Sequence, residues 1–413
     1  MELSRILLVL TTSASLSAVA SAGDVLEVGP IRPFSDIASA VAVASSGDVI
    51  LVDEGLYSGD LDLTFGVTIV GRDGTPVIDG HIDIGPLAGN QAVVLSGLRI
   101  QATEVRFTFG AFEPIVEVDR CRGSVRLQDT VLLGSLPTVS ASRTPFSCTN
   151  SNDVVATGCT FFGGNASGGF AVNPGGDGLV VGAFATVELD DCRVFGGQGS
   201  FGFNGGDGGH GVRVRADGVL LGYDSAFRGG DGGSGVDFFA GGGGNGLLLL
   251  ANGSARLQGG GARGGLGGTA DFGQPGSDGG AFGGPGEFSE VAEPTRTLRA
   301  PTVVRASDPG WSLTAGQLEP GETSELLLGF VSAPRFFDSI VRDLRVDLGT
   351  PDVLRLDPQS PDAMGEATRS FGPTVPPIGQ DAVLVWSQSI VVAPDGSLRL
   401  TASRATIVLA AGF

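Results

Sequence analysis

Asp190 and Asp191 stand side by side, and His210 follows between Gly209 and Gly211. Paired carboxylates are the groups that act as acid and base at a glycosidic bond, with a histidine to position or polarise. Arg213 and Arg215 flank Val214, with Asp177 and Asp207 in neighbouring Gly-rich turns. An arginine base beside acidic Ca²⁺ ligands would suit β-elimination from a polysaccharide. Gly-Gly-Asp-Gly recurs at 175–178, 205–208 and 229–232, and Gly-Ser-Asp-Gly at 276–279. These motifs make Asp177, Asp207 and Asp231 candidate Ca²⁺ ligands, although Asp is also an ordinary turn residue. Residue type excludes other chemistries. No Lys occurs, so no phosphate-binding G-x-x-x-x-G-K-[ST] loop exists. The two His and four Cys lie at spacings that do not suit zinc.

The elements that carry these residues repeat. Cys159-Thr-Phe-Phe-Gly-Gly164, Cys192-Arg-Val-Phe-Gly-Gly197 and Ser225-Ala-Phe-Arg-Gly-Gly230 follow one another at 33 residues. A second strand begins after Asp177, His210 and Asn245, at intervals of 33 and 35. One repeat reads as one superhelical coil, each coil stacking its strands on the next at about 4.8 Å around a continuous apolar interior. In Val187-x-Leu189-x-x-Cys192-x-Val194 the alternation sends those four side chains inward and leaves Asp190-Asp191 at the bend. Asp191 then shares a column with Gly158 and Asp224, and His210 shares one with Asp177 and Asn245. Asp, Asn and His are the non-glycine residues that tolerate left-handed backbone, so turn roles account for all three without catalysis. Arg213 and Arg215 read as outward members of a salt-bridge ladder. Gly-rich loops between Gly196 and Gly209 project or pack flat on one flank.

The opening residues point the same way. Residues 34–45 predict a short helix capped by Ser35 or Asp36, with Ile37, Ala40, Val41 and Ala44 on one face. Gly47-Asp48-Val49-Ile50-Leu51-Val52, Gly55-Leu56-Tyr57, Val67 to Gly71 and Ile78-Asp79-Gly80 follow as short β-branched runs with turns. This order of capping helix and motifs resembles the pectate-lyase-like single-stranded right-handed β-helix superfamily over residues 28–285. The resemblance implies the fold; a fold of this kind carries many functions. Asp190-Asp191-Cys192 with Gly209-His210-Gly211 resembles part of the polygalacturonase-type hydrolase signature, which would make Asp191 the acid, Asp190 the base and His210 their support. That family's upstream Asn-Thr-Asp and downstream Arg-Ile-Lys are missing. The Gly/Asp motifs resemble the Ca²⁺-binding repeats of RTX proteins but do not recur at nine residues.

Composition sets the remaining expectations. Charged residues reach only 17%, Gly numbers 70, and the net charge is −20. An acidic surface repels phosphate backbones and excludes nucleic acid as a partner. It equally opposes a polyanionic polysaccharide unless bridging cations or an Arg-lined groove intervene. Arg5, the apolar stretch from Ile6 to Val19 and Ala20-Ser21-Ala22 read as a signal peptide over 1–22, which implies a secreted, surface or periplasmic protein with no membrane span after cleavage. In an exported chain the four Cys suggest disulfides. Cys159 and Cys192 share a column, and Cys121 and Cys148 lie 27 residues apart, close to one coil; stacked free thiols are the alternative.

The expected architecture is therefore all-β. A right-handed parallel β-helix with an N-terminal capping helix spans 23–287, a linker 288–301, and an antiparallel β-sandwich-like module 302–413. In that module strands are expected at 324–331, 339–346, 382–391, 397–401 and 405–410, with Trp311 and Trp386 in its core. The expected function is a structural or carbohydrate- or surface-binding protein with no catalytic set established. A polysaccharide lyase or glycoside hydrolase is the alternative.

Overall fold

The computed structural model describes residues 23–413 except 105, 109–110, 135–141, 167–171, 272, 292–294, 330–331, 336–343, 347–353, 375, 377–379, 402 and 411–412. The expected signal peptide lies outside the described residues. Residues Leu26–Glu293 and Pro294–Phe413 belong to two compact units.

In the first unit the chain winds into a parallel β-helix, with the right-handed turn that parallel crossovers take. Each coil lays one strand on each of three sheets. The first sheet has ten strands, from Val25–Val28 and Val49–Asp53 to Glu287–Val291. The second has eight, from Leu56–Ser58 to Gly261–Arg263, and the third eight, from Leu61–Leu63 to Phe282–Gly283. Pairing follows the repeat. Thr160 lies over Arg193, Arg193 over Ala226 and Ala226 over Gly261; Leu179 lies over Val212 and Val212 over Leu247. Inward columns such as Val93, Val125, Val154, Val187 and Leu220 are fully buried and build one continuous core, each side chain contributing about 1.5–3 kcal/mol on burial.

The expected capping helix is present as α1, Ile37–Val43, with Asp36 as N-cap accepting from the Ser39 N–H at 2.7 Å. Ile37, Ala40 and Val41 are buried within the same core that lines the coils. At the other end, Glu287–Val291 adds a further strand to the first sheet. The stretch expected as a linker thus begins as β-helix and contains Thr297–Arg299, a strand of the second unit.

The cysteines require a correction. Cys159, Cys192 and Ser225 do occupy successive rungs of one column, since the residues just after them pair in register. All four cysteines are nonetheless buried free thiols. Cys192 Sγ donates to the carbonyls of Ala156 (3.3 Å) and Asp190 (3.4 Å), and Cys159 Sγ to that of Thr157 (3.4 Å). The proposed Cys121–Cys148 pair fails on register. Val118 pairs with Cys148, so Cys121, three residues on, falls over Ser151, whose Oγ accepts from the Cys121 N–H at 3.0 Å. The local pitch is 30 residues rather than 27. Burial pushes the Cys121, Cys148 and Cys192 thiols upward, so they stay protonated.

The Gly-rich segments form a two-layer flange between the second and third sheets. Gly196, Gly199 and Gly202 donate to the carbonyls of Arg228, Asp231 and Ser234 in the following coil, at 2.8, 2.9 and 3.3 Å. Gly197 and Ser200 donate across to Gly176 and Asn173. On the return arm Gly205, Gly208 and Gly211 donate to Phe239, Gly242 and Asn245, while Gly206 and Gly209 donate to Ser200 and Gly197. This is the three-residue period of a polyproline-II-type extended helix. Such an arm has no hydrogen bonds of its own, so its amides bond neighbouring arms on several sides. Two residues in three then face backbone and are Gly at most positions, the small Ser200 being an exception, while the third has room for a larger side chain. That position carries Asn165, Gln198, Asp231 and Leu266 on the outgoing arms, and Asp177, His210 and Asn245 on the return arms.

The second unit has a three-stranded antiparallel sheet (Thr297–Arg299, Trp311–Gly316, Ala367–Phe371) and a larger sheet built on Thr323–Gly329, Ala382–Val392 and Arg404–Leu409. Leu398–Leu400, inside the strand expected at 397–401, pairs with the long strand. Of the strand expected at 339–346, residues 339–343 lie outside the described residues, and Leu344–Val346 is a strand. Trp386 is buried, and Trp311 stacks on Phe371 with ring centroids 4.4 Å apart.

Candidate functional site on the outer face of the second sheet

The residues singled out for chemistry occupy separate places. Asp190 closes a first-sheet strand and is buried, whereas Asp191 is exposed at the bend into the second sheet. Gly97, Asp129, Gly158, Asp191, Asp224 and Gly259 all take positive φ at this bend. Their N–H groups climb from coil to coil, Asp191 N donating to Tyr223 O at 3.0 Å. His210 lies elsewhere, on the return arm that enters the third sheet. The acidic pair and the histidine are therefore not assembled as a polygalacturonase-like set would require.

His210 belongs to a ladder with its column mates. Asp177 Oδ1 accepts from His210 N (2.9 Å), His210 Nδ1 from Asn245 N (2.9 Å), and Asn245 Oδ1 from Gly280 N (2.8 Å). Arg213 Nε pairs with the buried Asp177 Oδ2 at 2.8 Å while the Arg213 side chain itself stays partly exposed, and Arg215 is exposed just beyond the strand. Asp207 accepts from Gly242 N at 2.8 Å, and Asp231 from Leu266 N at 2.9 Å. Asp177, Asp207 and Asp231 thus serve three different columns, Asp231 on the opposite arm. Among the described residues no three His, Cys, Asp or Glu side chains are grouped to hold a metal ion.

The accepting role of Nδ1 fixes the proton of neutral His210 on Nε2. Burial lowers its pKa most strongly, Asp177 opposes that and Arg213 adds to it, and the net direction is down. Between the ordinary value of 6.5 and its own lower one, the unfolded chain binds a proton that the folded chain refuses. This contribution to stability is complete above that window and is lost as pH falls through it. Asn at the same rung position of the next coil makes the equivalent bond, so His210→Asn should fold with a weaker loss of stability on acidification. Urea midpoints of both proteins at neutral pH and at about pH 5 check this; parallel slopes would refute it.

A groove that the sequence reading missed lies between the second sheet and the outgoing arms. Thr160-Phe161-Phe162, Arg193-Val194-Phe195 and Ala226-Phe227-Arg228 send their middle residue into the core and the flanking two outward. Phe162 and Phe195 stack on adjacent rungs with centroids 5.0 Å apart and planes 9° from parallel. Phe162 keeps 40% of its surface exposed. Asn165, Gln198 and Asp231 form the opposite wall and Arg228 extends the aromatic row, enclosing about 240 Å³. The signal was present in the 33-residue motif. Its fourth position reads Phe, Phe, Arg beside an always-apolar third, and alternation along a strand sends that fourth position to solvent.

A second titratable cluster stands on the outer face of the third sheet, where Asp62, Asp83 and Glu117 occupy successive rungs. Burial raises the pKa of Asp83, with Arg106 opposing and Asp62 adding; burial likewise raises Glu117, with Asp83, Asp119 and Glu113 adding. Arg106 bridges this row, pairing with Asp60, with Asp83 at 3.4 Å and with Glu113 at 3.8 Å. Of the three carboxylates in the row, Asp83 is thereby held in an ion pair.

No protein-family model matches the chain, and no curated protein does. Among solved structures it is similar to the crystal structure of pectate lyase Pel9A, at 11% identity over 66% of this chain and 79% of that one, with a TM-score of 0.33. It is also similar to full-length tailspike protein 2 from Escherichia coli O157:H7 bacteriophage CAB120, at 8% identity over 86% of this chain and 64% of that one, with a TM-score of 0.13. Among the described residues no helix is long and apolar enough to cross a membrane.

Proposed function

We propose that the protein is a secreted, non-catalytic β-helix that binds polysaccharide along the outer face of its second sheet. One observation carries this reading: an exposed and a half-buried phenyl ring stacked one rung apart at the edge of a groove walled by amide and carboxylate side chains. Flat apolar rings offer a face for the C–H surface of a sugar ring, and convergent amides and carboxylates offer partners for its hydroxyls. The rungs beneath fix both sets of groups at the same repeat, so successive units of a polymer meet successive rungs. The ladder of bends and arms gives Asp190, Asp191, His210 and Arg213 places in the fold without any of them acting on a substrate.

Phe195→Ala should weaken binding to a responsive polysaccharide about tenfold or more, since truncating a central aromatic anchor removes the contact that dominates such sites. Affinity electrophoresis of the full chain against a panel of immobilised polysaccharides reads this. Unchanged mobility shifts in Phe195→Ala across every polysaccharide that retards the parent protein would refute the groove as the site.

A further inference from the structure

We propose that the glycan this groove selects is anionic, and that Arg193, Arg228 and Arg263 select it; the proposal rests on the groove being a glycan site. The outer face of the second sheet departs from the charge of the rest of the chain. Over the five rungs from Val131–Leu133 to Gly261–Arg263 its strands contain no carboxylate, in a chain of net charge −20. They contain three arginines instead. Arg228 continues the row of Phe162 and Phe195, and Arg263 follows it on the next rung. Arg193 stands outward beside Phe195, in the companion row between Thr160 and Ala226. All three are exposed.

Their charge is barely neutralised. Arg193 and Arg263 form no ion pair among the described residues. Among the described residues Arg228 meets only Asp231, at 3.5 Å between an exposed and a partly exposed group, a pair that water and salt weaken and a ligand displaces at small cost. Asp191, Asp224 and Asp231 stand at the margins of this face, so its centre is positive and its borders negative. Stacked guanidinium groups on rungs about 4.8 Å apart repel one another, and an anion bridging them removes that repulsion. Guanidinium forks suit the planar oxygens of carboxylate or sulfate. Elsewhere the net charge opposes a polyanion, so affinity for one must arise locally. An Arg-lined groove is the condition under which this acidic chain accepts such a partner.

The test compares glycans that differ only in charge. The full chain is titrated calorimetrically with hydroxyethyl cellulose and carboxymethyl cellulose, and with dextran and dextran sulfate. The charged member of at least one pair should bind about tenfold more tightly, and this margin should shrink as salt shortens the screening length. Arg228→Gln/Arg263→Gln should reduce it to the level of the neutral partner, while Phe162→Ala/Phe195→Ala should weaken both partners. Equal binding of neutral and charged glycans, with no effect of the arginine substitutions, would overturn the charge selection and leave the groove standing. Binding of none of the four, or binding insensitive to the phenylalanine substitutions and matched by duplex DNA, would overturn the groove reading and the charge selection together.

Discussion

Gly209→Ala should dismantle the glycine flange while sparing the second unit. Gly209 sits where an outgoing and a return arm meet: its N–H donates to Gly197 O at 2.8 Å, and its carbonyl accepts from Gly230 N at 2.7 Å. An added Cβ would fall on the carbonyl of Gly176, backbone of the preceding coil, which is itself held by its own ladder. No flexible side chain is available to yield. Either the arm separates and forfeits its hydrogen bonds, or two coils shift together, so the cost should reach about 3 kcal/mol or more, at or beyond the upper end for overpacked sites. Gly261→Ala is the matched control, since nothing stands within 4 Å of a Cβ there. Amide hydrogen exchange across 196–211 and 229–246 should accelerate in Gly209→Ala and remain unchanged in Gly261→Ala. Protection equal to the parent protein in both would mean that the arms are not packed as a stack.

Glu322→Ala should produce the largest loss in the second unit. Glu322 Oε1 accepts from Arg296 Nη2 at 2.7 Å and Arg399 Nη1 at 2.6 Å, and Oε2 from Arg296 Nε and Glu319 N, both at 2.8 Å. The Arg296 and Glu322 side chains are both buried. Removing the carboxylate takes away the bidentate partner of a buried guanidinium and leaves it the more distant Glu319 at 3.5 Å, and breaking such a buried pair costs about 3–5 kcal/mol. The same geometry sets a pH dependence. Burial alone would raise the Glu322 pKa, but Arg296, the Glu319 N–H and Arg399 together hold it below the ordinary 4.5. A depressed carboxylate stabilises the fold above its unfolded value, and that contribution disappears as pH falls through its folded one. Both tryptophans of the chain, Trp311 and Trp386, lie in this unit and both tyrosines in the other, so fluorescence excited selectively at tryptophan reports its unfolding alone. The fluorescence midpoint should drop sharply in Glu322→Ala, and acidification below about pH 4.5 should destabilise the parent protein more than the variant. Coincident midpoints would show that the cluster carries no net stabilisation.

The β-helix was legible because its information is local and periodic. Inward and outward positions alternate along each strand, and a fixed interval between Cys159, Cys192 and Ser225 states directly which residues stack. The same interval identified the bend column of Asp191, where left-handed backbone is a property of one position. His210, with Asp177 and Asn245, instead lies on an extended arm and takes no positive φ, because its arm is held by bonds to neighbouring coils rather than by a turn. The sulfur chemistry was not legible in that way. Sharing a column brings Cys159 and Cys192 near each other, yet Cα spacing does not decide which atom each sulfur faces, and both point at backbone carbonyls. Between Cys121 and Cys148 the interval itself misled, since insertions outside the strands change the distance in sequence without changing the pitch in space.

Sequence alone determined the coil, its register, its capping helix and the acidic balance that any partner must overcome, since each follows from residue type at a repeated position. Only the tertiary structure decided that the glycines pack as interlocked three-fold arms rather than loose loops. It alone placed Phe162, Phe195, Arg228 and Arg263 along one groove opposite Asn165, Gln198 and Asp231. Those outcomes depend on hydrogen bonds and surfaces shared between coils, and a linear pattern records each coil's residues but not the space enclosed between them.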